Sequence, residues 1–569
     1  MQLRAFAVLV LLCGIGCSGK TNPKHADDGG KDASATGATG GSSGTGGSSG
    51  GKSGGEGGDQ GSGGRRPTLA PDGPPYIGTG KVLTQPPYDW VGIVGSGQSL
   101  SMGAYSKAVS LTQPYKNLML IDNNGPDPKY PIDGAASAQW KVVPLVEPHR
   151  PNVPGTFSDN LNYPNNIFHN DSATGPGGET PHSGMANALS RAWASRGNTD
   201  DYITAHTAVG VGGFCLQYLT KGSTSFAAAV SEAMVYKKLA DQAGKVYGVG
   251  GVIFTHGECD TTTKTADYGE KLYQLYKDFN ADLKAVTNQP NNIVLLASQQ
   301  SSIKGGGYES SAVQLWRAGR EHPGEIVCTG PKYAYGQYYI HMPGPSYERI
   351  GEKYGEVFDL IVNQGKAWKP LGPNRITREG KVISIDFDVP NPPLVWDTHL
   401  GKPHQTVHKA WAQGKGFEVI DANKNEIQIV FAEIDGQSVK LTLAAEPSAA
   451  LTVGYAVTPD DTGDFAGRDA DLIGLLRDSD PFEGDAVETI EVHVTKDSKM
   501  ITAGSGALDR RANMDVVVGA GVPDDTVIET IAPEGIGLSA RWGGETGTAK
   551  LSFHRNHYNY CVHFGLDVP

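Results

Sequence analysis

Between Trp90 and Ala297 the chain alternates short apolar runs with longer amphipathic stretches. Trp90-Val91-Gly92-Ile93-Val94, Tyr202 to Val209, Val246 to Thr255 and Asn292 to Ala297 each read as a buried strand bounded by glycine or polar residues. The stretches between them predict helices. Thr265 to Val286 places Tyr, Leu and Phe at three- and four-residue steps, Ser225 to Gln242 is rich in Ala and Lys, and a further helix is expected over Ser183 to Ser195. Such alternation predicts a parallel sheet with helices on both faces. It stops near Lys366. Beyond that point Lys381 to Phe387, Glu426 to Phe431 and Val439 to Leu443 form β-branched, period-two runs separated by turns, which predicts an all-β sandwich.

The strand ends carry the candidate chemistry. Gly97-Gln98-Ser99-Leu100 follows the first run, Gly210-Val211-Gly212-Gly213 the second, and His256-Gly257-Glu258-Cys259-Asp260 the third. The segment after the fourth run carries His341. Residues at the carboxyl ends of strands line the crevice where open α/β sheets bind ligands, so these four signals are expected to converge. Ser99 is expected to open a helix, where free backbone N–H groups favour developing negative charge. A serine so placed is a nucleophile if a base reaches it.

In order and spacing these blocks resemble the SGNH (GDSL-like) hydrolases, in the branch of sialate O-acetylesterases and related carbohydrate acetylesterases. The resemblance spans roughly Pro75 to Asn363 and implies a flavodoxin-like three-layer α/β/α domain. Gly97-Gln98-Ser99-Leu100 looks like the nucleophile block, Gly212-Gly213 like the oxyanion glycines, and Gly257-Glu258-Cys259-Asp260 like the Gln-Gly-Glu-x-Asp block. Ile340-His341-Met342, followed by Tyr347-Glu348-Arg349-Ile350-Gly351-Glu352, looks like the block with the catalytic histidine. The resemblance implies that Ser99 attacks an ester carbonyl and that His341 shuttles the proton. The oxyanion would be held by the Ser99 N–H, a glycine N–H at Gly212 or Gly213, and the His256 side chain, with Gln98, Glu258 and Asp260 in support. Two positions depart from the family: His256 stands where it has Gln, and Tyr338 stands three residues before the histidine where it has Asp. A phenol with an ordinary pKa of about 10 carries no charge at neutral pH. The expectation is therefore a Ser99–His341 dyad, or a triad whose acid comes from elsewhere in the chain. No cofactor or metal is called for.

Each residue also has a plainer reading. His256 could be a hydrogen-bonded structural histidine at a strand end, and His341 a surface-loop residue. Glu258 and Asp260 suit carboxylates that accept backbone N–H bonds just past a strand. His206 falls inside a strand and reads as a satisfied core histidine. His182 opens the 183–195 helix and could line the cleft, as could the loop from Pro148 to Pro181.

The N-terminus sets the expected location. Arg4 followed by the apolar run Ala5 to Leu12 reads as a signal peptide, and Gly14-Ile15-Gly16-Cys17 resembles a bacterial lipobox with lipidation at Cys17. Residues 18–66 are a Gly- and Ser-rich flexible linker with an r.m.s. reach of about 35–40 Å. The domains expected are thus a signal peptide at 1–17, this linker, an SGNH domain at 67–366 and a β-sandwich at 367–569. The sandwich pattern resumes at Gly474 to Ser479 and closes with Tyr560 to Phe564. Between them, at about 488–553, an insertion is expected. Its Met514 to Ile528 stretch resembles a small β repeat of phage-fibre and surface-adhesive proteins, and serves either as a binding accessory or as a structural embellishment.

A formal net charge of -13 without a basic cluster excludes nucleic acid as a natural partner. An exported compartment permits disulfides, and Cys215 and Cys259, in or just beyond neighbouring blocks, are either bridged or free buried thiols. The function expected is a lipid-anchored esterase of the bacterial cell envelope that removes acyl groups, chiefly O-acetyl, from carbohydrate. Its rivals are a lipase or general carboxylesterase, and a degenerate hydrolase serving as a glycan-binding or adhesive surface protein.

Overall fold

A computed structural model describes residues 80–569 apart from 105, 123–139, 150–177, 302–305, 336–339, 401–402, 404–407, 460–471, 481–487, 505–506, 509–510, 512–514, 524–525 and 533. Cys17, the linker, most of the 148–181 loop and Tyr338 lie outside the described residues.

Seven strands form the first sheet: β1 (Trp90–Gly97), β2 (Leu118–Asp122), β3 (Trp140–Pro144), β4 (Thr204–Ala208), β5 (Tyr247–Thr255), β6 (Val294–Gln299) and β7 (Ile326–Pro331), in the order β3-β2-β4-β1-β5-β6-β7. The strand carrying the Ser99 turn is central. It pairs in parallel with β4 on one side and β5 on the other, so the three loops after these strands emerge side by side. One expectation is corrected here: the sheet is mixed, because β3 folds back antiparallel on β2 to make an edge hairpin. A short edge strand can reverse in this way, needing no crossover helix.

Helices α1 (Pro181–Ser195), α2 (Thr224–Gln242), α3 (Glu258–Thr263), α4 (Tyr268–Thr287), α5 (Ser311–Glu321) and α6 (Gly344–Phe358) fill the connections. The Thr180 hydroxyl caps α1 by accepting from the His182 N–H, which fixes where the helix starts. One core packs Leu189, Trp193, Ile350, Tyr354 and Phe358 of α1 and α6 under one face of the sheet. The other packs Phe226, Tyr236, Leu275, Phe279 and Leu315 of α2, α4 and α5 over the opposite face. The helices α1 and α6 meet through glycines. A Cβ at Gly184 would strike the Glu348 carbonyl, and one at Gly351 the Pro181 carbonyl. This close contact fixes α6, which begins just after His341.

From Gly372 onward the sheets are antiparallel. Gly372–Glu379, Val382–Asp388, Ser438–Leu443 and Ile429–Asp435 form a four-stranded sheet, and Phe417–Asp421, Leu451–Tyr455 and Phe564–Val568 a three-stranded one. Burial alternates residue by residue along Val382–Asp388 and Ser438–Leu443, as a half-buried strand requires. These sheets share their core with the α2, α4 and α5 face: Trp316 of α5 lies 6.1 Å from Phe564 between ring centroids. Six further strands between Glu488 and His554 make a separate sheet with its own core of Val492, Ile501, Trp542, Leu551 and Phe553. Among the described residues no helix is long and apolar enough to cross a membrane.

Candidate active site

β1 ends on Gly97, whose φ of 145° is open to glycine and strained for other residues. A Cβ there would also collide with the Thr255 carbonyl of β5. The chain then turns sharply through Gln98 into Ser99. Here a second expectation is corrected: Ser99 opens only the four-residue 3-10 turn Ser99–Met102, which Gly103 stops with a φ of 68°. So short a turn has no macrodipole to speak of, and any stabilisation of an anion falls to individual N–H groups.

The base comes from the far side of the sheet. His341 follows β7, a strand the sequence pattern does not reveal, and stands just before α6. Its Nε2 lies 2.8 Å from the Ser99 Oγ. Burial holds the imidazole well below its usual range, at about 4, with Glu258 acting to raise it and Lys332 to lower it. The ring is therefore unprotonated at neutral pH and can accept the serine proton, which makes the hydroxyl an activated nucleophile.

The glycine loop after β4 lies against the Ser99 turn. The Val211 N–H donates to the Gly97 carbonyl at 3.1 Å, and a Cβ at Gly210 would meet Ser101 and Gln98. Gly212 is half-buried and Gly213 exposed. Gly213 has a φ of 72°, with open space where a Cβ would stand. Three ties fix this loop to the segment after β5. The His256 Nε2 bonds the Phe214 carbonyl at 2.9 Å, the Leu216 N–H donates to Asp260 at 2.8 Å, and Cys215 is bridged to Cys259.

That arrangement corrects the expected role of His256. A carbonyl can only accept, so the ring carries its proton on Nε2 and spends it on Phe214. The Nδ1 lies 3.3 Å from the Tyr268 hydroxyl, from which it accepts, and the side chain is fully enclosed. No ring N–H remains for an oxyanion; His256 holds the loop that could supply one. Asp260 works alongside it on Leu216. His206 and His182 are core residues. Their Nδ1 atoms are 2.9 Å apart, and His206 Nε2 bonds Thr204 Oγ1 at 2.8 Å. His182 lines no cleft, being buried outright, which pushes its imidazole down to about 3.

Behind Ser99 lies a polar cluster in which the expected supporting residues Gln98 and Glu258 are joined by Lys332, which the sequence does not announce. Glu258 accepts from Gln98 Nε2 at 2.7 Å through one carboxylate oxygen and from the Lys332 Nζ through the other. Lys332 follows β7 directly. A lone lysine after a strand ordinarily points to water, so no local signal marks it. Among the described residues no group of three or more His, Cys, Asp and Glu side chains is placed to hold a metal ion.

No protein-family model matches the chain, and no curated protein matches it. Among solved structures it is similar to a carbohydrate acetylesterase from Xanthomonas citri, at 14% identity and a TM-score of 0.42, over 67% of this chain and 78% of that one. It is similar to a protein of Arabidopsis thaliana at 16% identity and a TM-score of 0.30, over 48% and 98% of the two chains. It is also similar to NanS, at 14% identity and a TM-score of 0.35, over 48% and 97%. The chemistry of the site rests on its own geometry.

Proposed function

We propose that this protein is a serine esterase that removes O-acyl groups, chiefly acetyl, from carbohydrate. The observation that carries the reading is the 2.8 Å contact between the Ser99 Oγ and an unprotonated His341 Nε2 at the carboxyl edge of a mostly parallel sheet. Ser99 attacks the ester carbonyl as His341 takes its proton. The imidazolium then returns that proton to the departing sugar oxygen, and water hydrolyses the acyl-enzyme by the same route in reverse. This pair carries the proton transfer, as a dyad or with an acid from elsewhere in the chain, and the Glu258 carboxylate, opposed by Lys332, favours the imidazolium through space. The developing oxyanion falls to the backbone N–H groups of Ser99 and of Gly212 or Gly213, each such donor being worth about 3 kcal/mol in the transition state.

The sugar half of the proposal is supported by Tyr218. It follows the glycine loop, is 56% exposed and packs edge-on against Phe214. An aromatic face held in that way suits the apolar C–H face of a pyranose ring. The N-terminal sequence, with its apolar run and Cys17, supports a lipid anchor in the bacterial envelope, and 18–66 a flexible tether. Hydrolysis of 4-nitrophenyl acetate, blocked by a fluorophosphonate that labels Ser99, tests the chemistry. Acetate release from acetylated sugars, set against a 4-nitrophenyl ester chain-length series, separates this reading from a lipase. No turnover and no labelling would leave the degenerate, glycan-binding reading in its place.

A further inference from the structure

We propose that Lys332 and Glu258 form a buried positioning pair for the Ser99–His341 couple, fixing the nucleophile turn through Gln98 and setting the charge that His341 feels; this rests on the esterase reading above. The Lys332 side chain is 0% exposed and that of Glu258 5%. The lysine is itself anchored: its backbone N–H reaches the Gln299 carbonyl at 3.0 Å, at the end of β6, and the Ser301 Oγ at 3.1 Å, two residues beyond it. From there Nζ reaches Glu258, Glu258 holds the Gln98 amide, and Gln98 is the residue before Ser99. The Gln98 carbonyl in turn accepts from the Ser101 hydroxyl at 2.7 Å, which closes the turn. One carboxylate thus ties together the loops after β1, β5 and β7.

Stability does not explain such a pair. Burying two charges costs about what their attraction returns, and a hydrophobic pair of the same volume would serve as well. Position explains it better. Glu258 and Lys332 act on His341 with opposite sign, Glu258 raising its pKa and Lys332 lowering it, so removing either leaves the other unopposed. The other titratable groups around the pair are His256 and Asp260 beside Glu258, Tyr268 on α4 and Tyr347 on α6. His256 is neutral, its proton spent on Phe214. Both phenols are pushed upward by burial and stay neutral, so the Lys332–Glu258 balance is what a substitution would upset.

The test uses Lys332→Met, Glu258→Gln, the double variant and Lys332→Arg in the whole chain. It reads kcat and KM against pH together with the imidazole resonance of His341, assigned with His341→Gln. Lys332→Met is expected to lower kcat roughly 10²-fold, the cost of a nucleophile displaced by about 1 Å, with little change in KM. It should also raise the His341 titration by about one unit, because Glu258 is left facing it. Glu258→Gln should move the titration the other way, the double variant should return it towards wild type, and Lys332→Arg should leave it in place. Unmoved His341 resonances in both single variants, or a Lys332→Met kcat within twofold of wild type, would overturn the inference. Should Lys332→Met fail to fold, Glu258→Gln and Lys332→Arg carry the same comparison. A wild type that never turns over 4-nitrophenyl acetate, yet shows the resonance shifts, would sink the esterase reading and sustain the electrostatic coupling.

Discussion

The His256 Nε2 donates to the Phe214 carbonyl across 2.9 Å, 42 residues away in the chain, and so fixes the loop that follows β4 from the strand beside it but one. His256→Ala would leave that carbonyl and the Tyr268 hydroxyl without their ring partners. Each buried group left unsatisfied costs about 1–3 kcal/mol. A drop of that size in unfolding free energy, measured in denaturant, is expected, together with a roughly tenfold loss of kcat as the glycine loop loosens. His256→Gln, whose amide can still donate to Phe214, should recover much of both. A direct oxyanion donor would behave otherwise, losing 10²–10³ in kcat at unchanged stability.

The Cys215–Cys259 bridge closes a separation of 44 residues. Loop-closure entropy for a span of that length corresponds to about 4 kcal/mol of stability. The Cys215→Ser, Cys259→Ser double variant should therefore unfold at clearly lower denaturant than wild type. Peptide mapping without reductant should return residues 215 and 259 in one linked pair. The buried Cys328 and Cys561 should accept an alkylating reagent only after unfolding. Recovery of alkylated Cys215 from the native, unreduced protein would refute the bridge.

Activity should persist to lower pH than an ordinary histidine allows. His341 must be unprotonated to act as base, and burial brings its midpoint down to about 4 from a usual value near 6.5. The kcat/KM profile should hence be flat from neutrality down to about pH 5 and lose half its height near 4. Stability carries the same sign. The unfolded chain takes up this proton from about pH 6.5 downward while the native protein resists until about 4, so native stability falls as pH drops through that window. An acid limb centred near 6.5 would contradict the lowering of the His341 imidazole by its partial burial.

The site was legible where chemistry sits immediately beyond a hydrophobic run. Gly97 to Ser99, Gly210 to Gly213 and His256 to Asp260 lie at the ends of β1, β4 and β5, because apolar strands stop where polar residues must reach the surface. What escaped depends on partners distant in sequence. The helix expected at Ser99 is cut short by Gly103, against which the Glu179 carbonyl packs too closely for any Cβ. The orientation of His256 is decided by a carbonyl outside its own block. Lys332 is buried only because a carboxylate 74 residues earlier faces it. β7 has only Ile326-Val327-Cys328 as an apolar run before Thr329-Gly330-Pro331, whose glycine and proline read as a turn, so it does not stand out as a strand.

Helix α6 connects the site to the far end of the chain. Its apolar side, Tyr347, Ile350, Tyr354 and Val357, packs in the core with α1, yet Glu348, Arg349, Glu352 and Lys353 are buried as well. The segment Arg555 to Asn559 faces that charged side. Arg555 donates to Glu348 at 2.7 Å and to Asp515 at 3.1 Å, Arg349 to the Asn556 carbonyl at 2.9 Å, and Lys353 to the His557 carbonyl at 2.8 Å. Arg555 therefore spans α6 and the six-stranded sheet that contributes Val516–Val518 next to Asp515. Arg555→Met takes the cation from among three buried carboxylates, Glu348, Asp515 and, at 3.9 Å, Glu352, a change that costs about 3–5 kcal/mol. Arg555→Lys keeps the charge without the planar fork that reaches Glu348 and Asp515 together, and should lose about half as much. Because α6 starts three residues after His341, kcat should fall in both variants by more than KM changes. Equilibrium unfolding and steady-state kinetics check this together. Unfolding of Arg555→Met at the wild-type denaturant midpoint would show that the C-terminal segment does not hold α6 in place.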